Sequence, residues 1–315
     1  MREISITDSG GFRGGHAEYS EAGTGCTVVL FDRLTTTGIS VRGGGPASRD
    51  TRLLDPLMSN EGINAVLLSG GSAFGLDAAG GVMRWLEERG EGVNVAGITV
   101  PLVCQSCVFD LNVGRGDIRP DAELAKLACD RASYAAPEMG NVGAGAGCSV
   151  GKVLGIEKSM KSGFGTFALE SGELKVGALV AVNAVGDVYD GHERIAGVRD
   201  ERGRSAEEII AEDFTGPEPA PGANTTIGLI VTNARLSKAQ LCKAADMSHD
   251  GYARAIRPVH TLLDGDSIYA ASVGDVPANL DAVGVMASVA MERAIVRAVR
   301  ASASACGLPG LGDGE

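Results

Sequence analysis

Histidine is scarce in this chain, four residues in 315, and none stands where a relay would place it. His16, His192 and His249 fall in polar turns or at a helix end, and His260 precedes a hydroxyl residue and a strand. A conventional Ser-His-Asp triad is therefore disfavoured. Basic charge is short as well: 28 Lys and Arg against 40 Asp and Glu leave a net charge of −12. Without a basic stripe, no nucleic-acid partner is expected. Gly, Asp or Lys interrupts every apolar run well short of a bilayer span, and the opening MREISITDSGG has neither an apolar signal core nor an Arg-rich presequence. No membrane association is expected, and the expected location is cytoplasmic. The seven cysteines, at 26, 104, 107, 129, 148, 242 and 306, are odd in number and irregular in spacing. They read as reduced, buried thiols. Cys104-Gln-Ser-Cys107 has redox-motif spacing, but a single pair in an apolar setting cannot build a four-cysteine zinc site, so no metal or cofactor is expected. Aromatics are few, 4% of the chain, whereas glycine is plentiful at 46. The glycines sit at motif ends, which suggests tight turns and close backbone approaches in a layered protein.

With 44% hydrophobic residues the chain can bury a large core. From Cys26 to Val41, the runs CTVVLF and TTGISVR around a polar turn read as an early hairpin. The strand Ala65–Leu68 leads into SGGSAFGLDAAGGVMRWLEERG, a helix that Ser72 is expected to cap and Gly90 to end. A second helix follows Pro120. Strands fill Ser149 to Tyr189, and 190–224 turns charged and Pro-rich, reading as an exposed, mobile connector with a short helix at Ser205–Glu212. A strand then covers Thr226–Thr232, a capping box at Ser237 to Gln240 starts a helix to about Ile256, a strand spans Ser267–Val273, and a final helix runs from about Asn279 to Ala303. The order implies an α+β domain with helices outside two stacked sheets.

The stretch PGANTTIGLIVTN carries the chemistry. A turn-into-strand junction accounts for its composition. The sharper reading is that the chain cuts itself between Asn224 and Thr225. Thr225 would then hold a hydroxyl nucleophile and its own base, an α-amine of pKa ~7.7–8.0. Downstream, HTLLDGDSIYA sets Asp264 and Asp266 two apart before a strand, either as a solvated turn or as a pair that holds an ammonium. In GNVGAGAGCSVGKVLG a Gly-rich run over 140–152 ends in Lys152, but Val153 stands where a phosphate loop needs Ser or Thr, so a nucleotide site is the weaker alternative. Lys152 is left as a strand-edge charge or a catalytic cation. Asn183, within LVAVNAVGD, is either a turn residue or an amide aimed at an oxyanion.

TDSGGFRGGHAEYSEAGTGCTVVLF, LSGGSAFGLDAAGGVMRWLEERG, GNVGAGAGCSVGKVLG, MKSGFGTFA, VNAVGD, NTTIGLIVTNARLSKAQL and HTLLDGDSIYA, in that order, resemble the DmpA-like self-cleaving aminopeptidases and amidohydrolases, which include β-aminopeptidases and the nylon-oligomer (6-aminohexanoate oligomer) hydrolase. The resemblance implies a four-layer αββα sandwich similar to the N-terminal-nucleophile hydrolases and a cut into chains 1–224 and 225–315. It also implies a homotetramer of cut units, and the acid pair suits peptides or ω-amino-acid oligomers with a free amine as substrates. It makes Thr225 the nucleophile and Asn183 the oxyanion-side amide, and it matches Lys152, Asp264 and Asp266 to the nylon-oligomer hydrolase. Phe109 stands where several relatives carry an aromatic hydroxyl, and Lys161, in a segment closer to the peptidase members, is a second lysine candidate near substrate. An unprocessed binding protein of the same fold is the alternative.

Overall fold

A computed structural model of the chain describes residues 1–212 and 224–314. Strands such as Ile227–Ala234 and Leu174–Ala181 are apolar along almost their whole length, and this is what a strand covered on both faces requires. They lie at the centre of a six-stranded sheet ordered Arg2–Ile4, Phe164–Ser171, Leu174–Ala181, Ile227–Ala234, Ser267–Val276, Thr37–Val41. All its pairings are antiparallel except that of Ile227–Ala234 with Ser267–Val276. A five-stranded sheet, ordered Phe12–Tyr19, Thr24–Thr35, Ile63–Ser69, Val103–Cys107, Ala47–Arg49, faces it. Val29, Val66 and Leu68 of this sheet share a core with Leu179, Leu229 and Tyr269 of the other.

Helices cover both outer faces. α1 (Ala79–Glu87) and α2 (Ala122–Asp130) pack Val82, Leu86, Leu124 and Ala128 against Val28 and Leu67 of the five-stranded sheet. α3 (Ala206–Glu212) packs Ala206 and Ile209 against Val198 and Val153. α4 (Lys238–Ala255) and α5 (Leu280–Arg300) pack Leu241, Ala287 and Met291 against Ala178, Val180 and Ile230 of the six-stranded sheet. The result is the expected αββα order. Two glycines show why large side chains are few where layers meet: a Cβ on Gly15 would run into the Ala128 carbonyl of α2, and one on Gly165 into the Ala294 carbonyl of α5. Among the described residues no helix is long and apolar enough to cross a membrane.

Several elements match their expected bounds, including the α4 capping box, in which Ser237 and Gln240 exchange hydrogen bonds. Four do not. Thr24–Thr35 and Thr37–Val41 are not a hairpin: the first pairs with Phe12–Tyr19 and Ile63–Ser69, the second with Ser267–Ala271 in the other sheet. The polar turn between them carries the chain from one sheet to the other. Ser72 caps no α-helix, because Gly71 and Ser72 both have positive φ and open a 3-10 stretch, Ser72–Ala78, ahead of α1. Within that 3-10 stretch Phe74 is 58% exposed and stacks under Arg119. Lys152 is not in a strand: left-handed glycines at 151 and 155 bracket a 3-10 turn, Lys152–Leu154.

The segment read as connector is tied down over its described part. Glu193–Ala196 pairs with Asp187–Asp190, and buried Asp187 accepts hydrogen bonds from the Val198 and Ala206 amides and an ion pair from Arg194. Residues 213–223 lie outside the described residues. The thiols are unpaired, and burial pushes those of Cys104, Cys107, Cys129 and Cys148 up to about 12.

Candidate active site

The parallel pairing of Ile227–Ala234 with Ser267–Val276 starts at Ile227 opposite Ser267. The residues just before each strand therefore come out side by side at one end of the sheet, and these are Asn224-Thr225-Thr226 and Asp264-Gly265-Asp266. Asn224 forms a parallel bridge with Asp264. On the other side Leu174–Ala181 runs antiparallel, with Ala181 opposite Ile227, so its exit delivers Asn183 to the same end. Lys152 arrives from the 3-10 turn, whose Gly151 and Lys152 amides bond to the Gly186 and Val185 carbonyls. Five residues singled out for chemistry thus meet at one end of the central strands.

Hydrogen bonds fix them. The Thr225 amide donates to the Asn183 carbonyl at 2.8 Å, and the Thr226 amide donates to Asp266 Oδ1 at 2.9 Å. The Asn224 carbonyl accepts from the Gly265 amide at 2.9 Å, and the Thr225 hydroxyl lies against the same oxygen. Asn224's own amide donates to the Leu263 carbonyl at 3.1 Å. A side chain at 265 would collide with the Thr225 hydroxyl, so the glycine is required there. Thr225 is only 2% exposed, and in the continuous chain the site is closed by the chain itself.

Asn183 is fully buried and heavily committed. Its Oδ1 accepts from Lys152 Nζ at 2.7 Å and the Ser149 amide at 3.1 Å, and its Nδ2 donates to the Phe109 carbonyl at 2.8 Å. The donor on the Asn224 carbonyl is accordingly the Gly265 amide, not the Asn183 side chain expected there. Phe109 contributes its backbone oxygen.

Burial dominates the electrostatics. It raises Asp264 to about 6, helped by the charge of Asp266 and opposed by hydrogen bonds from Thr261 and the Val185 amide. It lowers Lys152 to about 8, opposed by Asp264, Asp110 and Asp266 among its neighbours. Lys161 is lowered to about 8 as well, but its amine donates to the Gly145, Cys148 and Ser162 carbonyls. It braces the Gly-rich loop instead of meeting the Thr225 cluster. That loop forms a 3-10 turn at Gly143–Gly145 with no helix behind it, so the phosphate-cradle geometry is absent.

Sequence reading missed two groups. The Gly265 amide is backbone, and no residue type advertises it. Asp110 was hidden in an apolar stretch: it is 2% exposed, accepts from Thr24 Oγ1 and the Gly71 amide at 2.7 Å each, and is pushed up to about 6 by burial. A lone acid at the end of a buried strand was the signal available.

The family model for peptidase family S58 matches residues 5–311. The chain belongs to peptidase family S58. Among S58 relatives, an uncharacterized aminopeptidase of Mycobacterium leprae is 41% identical over 97% of this chain and 92% of its own. A 6-aminohexanoate-oligomer endohydrolase of Kocuria sp. is 30% identical over 95% and 87%. Among solved structures, the L-aminopeptidase D-Ala-esterase/amidase from Ochrobactrum anthropi, described as a variant of the Ntn hydrolase fold, superposes with a TM-score of 0.72 at 17% identity, covering 95% of this chain and 86% of that one. A Burkholderia sp. beta-aminopeptidase superposes with a TM-score of 0.69 at 22% identity, covering 99% and 91%. At those identities the structures speak for the fold, which is that of the S58 aminopeptidases.

Proposed function

We propose that this amide-bond hydrolase of family S58 cuts itself between Asn224 and Thr225, and that the freed Thr225 is its nucleophile. One observation carries the reading: the Asn224 carbonyl rests on the Gly265 amide while the hydroxyl of the next residue lies against it. Thr225 Oγ1 attacks the Asn224 carbonyl carbon, and the developing oxyanion stays on the Gly265 N–H. The C–N bond breaks, the Thr225 nitrogen takes up a proton, and an ester joins Asn224 to the Thr225 hydroxyl. Water hydrolyses that ester, leaving a carboxylate on Asn224 and a free hydroxyl and amine on Thr225. Before the cut no α-amine exists, and Lys152, with its pKa lowered to about 8, supplies a titratable amine beside the Thr225 peptide.

After the cut the α-amine takes over as base. Substrate amide carbonyls are attacked in the same way, through an acyl-enzyme ester on Thr225. The products of processing, chains 1–224 and 225–315, remain interlocked, because Ile227–Ala234 sits at the centre of the six-stranded sheet. The buried pair Asp264 and Asp266 suits substrates with a free ammonium, either peptides with an N-terminal amine or ω-amino-acid oligomers. The names of the mycobacterial and Kocuria relatives support both choices.

An aminoacyl anilide and its N-acetyl counterpart, assayed with wild type and Thr225→Ala, test the reading. Wild type is expected to turn over the free-amine substrate and to lose most of that rate when the amine is acetylated. Thr225→Ala is expected to turn over neither. A Thr225→Ala protein with wild-type turnover would sink the nucleophile assignment, and indifference to acetylation would sink the substrate class.

A further inference from the structure

The four histidines entered the sequence reading only as poor relay candidates, yet the structure seats one of them directly behind the Thr225 strand. His260 donates to Asp266 Oδ2 twice, from Nδ1 at 2.8 Å and from its own backbone amide at 3.2 Å. The other oxygen of Asp266 takes the Thr226 amide. Asp266 is 1% exposed, and without the His260 side chain this buried carboxylate would keep only two backbone amides, the charge-facing ring donor being lost, a costly change that rotation would relieve. His260 has φ 59°, in the left-handed region that is uncommon for residues other than glycine and that histidine enters more readily than most. Such a conformation persists where surrounding contacts impose it.

The rest of the ring is packed, not hydrogen-bonded. His249 of α4 meets it edge-on with centroids 4.6 Å apart, Tyr252 stacks at 5.9 Å, and Nε2 is buried with no partner. Nδ1 faces a carboxylate oxygen and is therefore the donor of the pair, and Nε2 meets no acceptor among the described residues. The ring thus gives Asp266 a hydrogen bond through Nδ1. A lysine or arginine in its place would neutralise the acid that faces the Thr225 end of the strand.

We propose that His260 is a positioning residue for the S58 reaction: its neutral Nδ1–H fixes the rotamer of Asp266 and, through Asp266 and the Thr226 amide, the placement of Thr225. This rests on Thr225 as the nucleophile, but it makes a claim about the ring that does not need the cut. Asparagine can imitate both the Nδ1 donor and the left-handed backbone, whereas glycine imitates only the backbone. Self-cleavage is followed from cell-free synthesis of the full chain by denaturing gel. His260→Gly is expected to slow it about 10- to 100-fold, His260→Asn to recover most of the rate, and His260→Gly added to Asp266→Asn to cost less than about threefold more. Equal rates in wild type and His260→Gly, or full additivity with Asp266→Asn, would overturn the proposal.

Nitrogen NMR of the histidines in uncut Thr225→Ala, with His260→Asn assigning the signal, tests the ring itself. The expected spectrum is a neutral ring protonated at Nδ1. A ring protonated at Nε2, or a charged one at neutral pH, would overturn the proposal even if no cleavage were seen. A wild-type chain that stays whole would count against the Thr225 reading alone.

Discussion

Lys152 and Lys161 lie nine positions apart in the sequence, and burial pushes both down to about 8, yet they serve different regions. Lys161 is fully buried and spends its amine on three backbone carbonyls in the loop behind the site. Lys152 is only partly buried and gives its amine to Asn183, whose carbonyl also holds the Thr225 amide, with Asp264, Asp110 and Asp266 close enough to act on its charge. A depressed pKa therefore marks burial in both regions, and only the partners separate scaffold from chemistry. Backbone carbonyls ask a lysine to hold a loop in place. A side-chain amide, three acids and the Thr225 peptide ask it to stay responsive.

The contrast breaks most sharply at Lys152. Lys152→Ala is expected to slow self-cleavage and turnover about 100-fold or more, roughly the ~2.7–4 kcal/mol lost with a transition-state donor, while lowering stability by about 1 kcal/mol or less. Gel time courses and urea melts measure the two effects separately. At Lys161 the pattern should invert. Lys161→Ala removes a fully buried stem and strands part of a carbonyl cluster, so urea melts should show a loss of roughly 3 kcal/mol, with the residual folded fraction still cutting at near wild-type rate. If both variants lost stability alone, the two regions would be one.

The sign of the pH dependence sharpens the comparison further, by a smaller amount. A lysine whose folded pKa falls from 10.5 to about 8 binds fewer protons folded than unfolded between those values, so stability rises with pH across that window. Lys161→Ala should flatten that rise in urea melts taken between the two values, and an unchanged slope would remove Lys161 as its source. At the acid side, turnover of an ammonium substrate should grow as Asp264 ionises through about 6, and Asp264→Asn should abolish that limb.

Much of this was legible in the sequence because strand ends carry polar residues for a reason. Thr225 and the Asp264–Asp266 pair each precede an apolar run, and a parallel pairing of those runs is enough to bring them together. The layer order followed from where strands and helices fall along the chain. Pairing itself was not legible. The alternation from Cys26 to Val41 says strand, turn, strand, but it does not say that the two strands belong to different sheets; Gly38, pressed against the α4 backbone, shows why the second must lie in the six-stranded sheet next to that helix. The Gly265 amide on the Asn224 carbonyl was out of reach because it is a backbone N–H, and Asp110 because its apolar neighbours disguised it. His260 was read by its neighbours in sequence, while its role comes from Asp266, six residues on.

Intact mass of the purified wild-type chain under denaturing conditions, with N-terminal sequencing, tests the central claim most directly. The account predicts two chains, the smaller beginning TTIGLIVTN. A single uncut chain that still hydrolyses amides would contradict it.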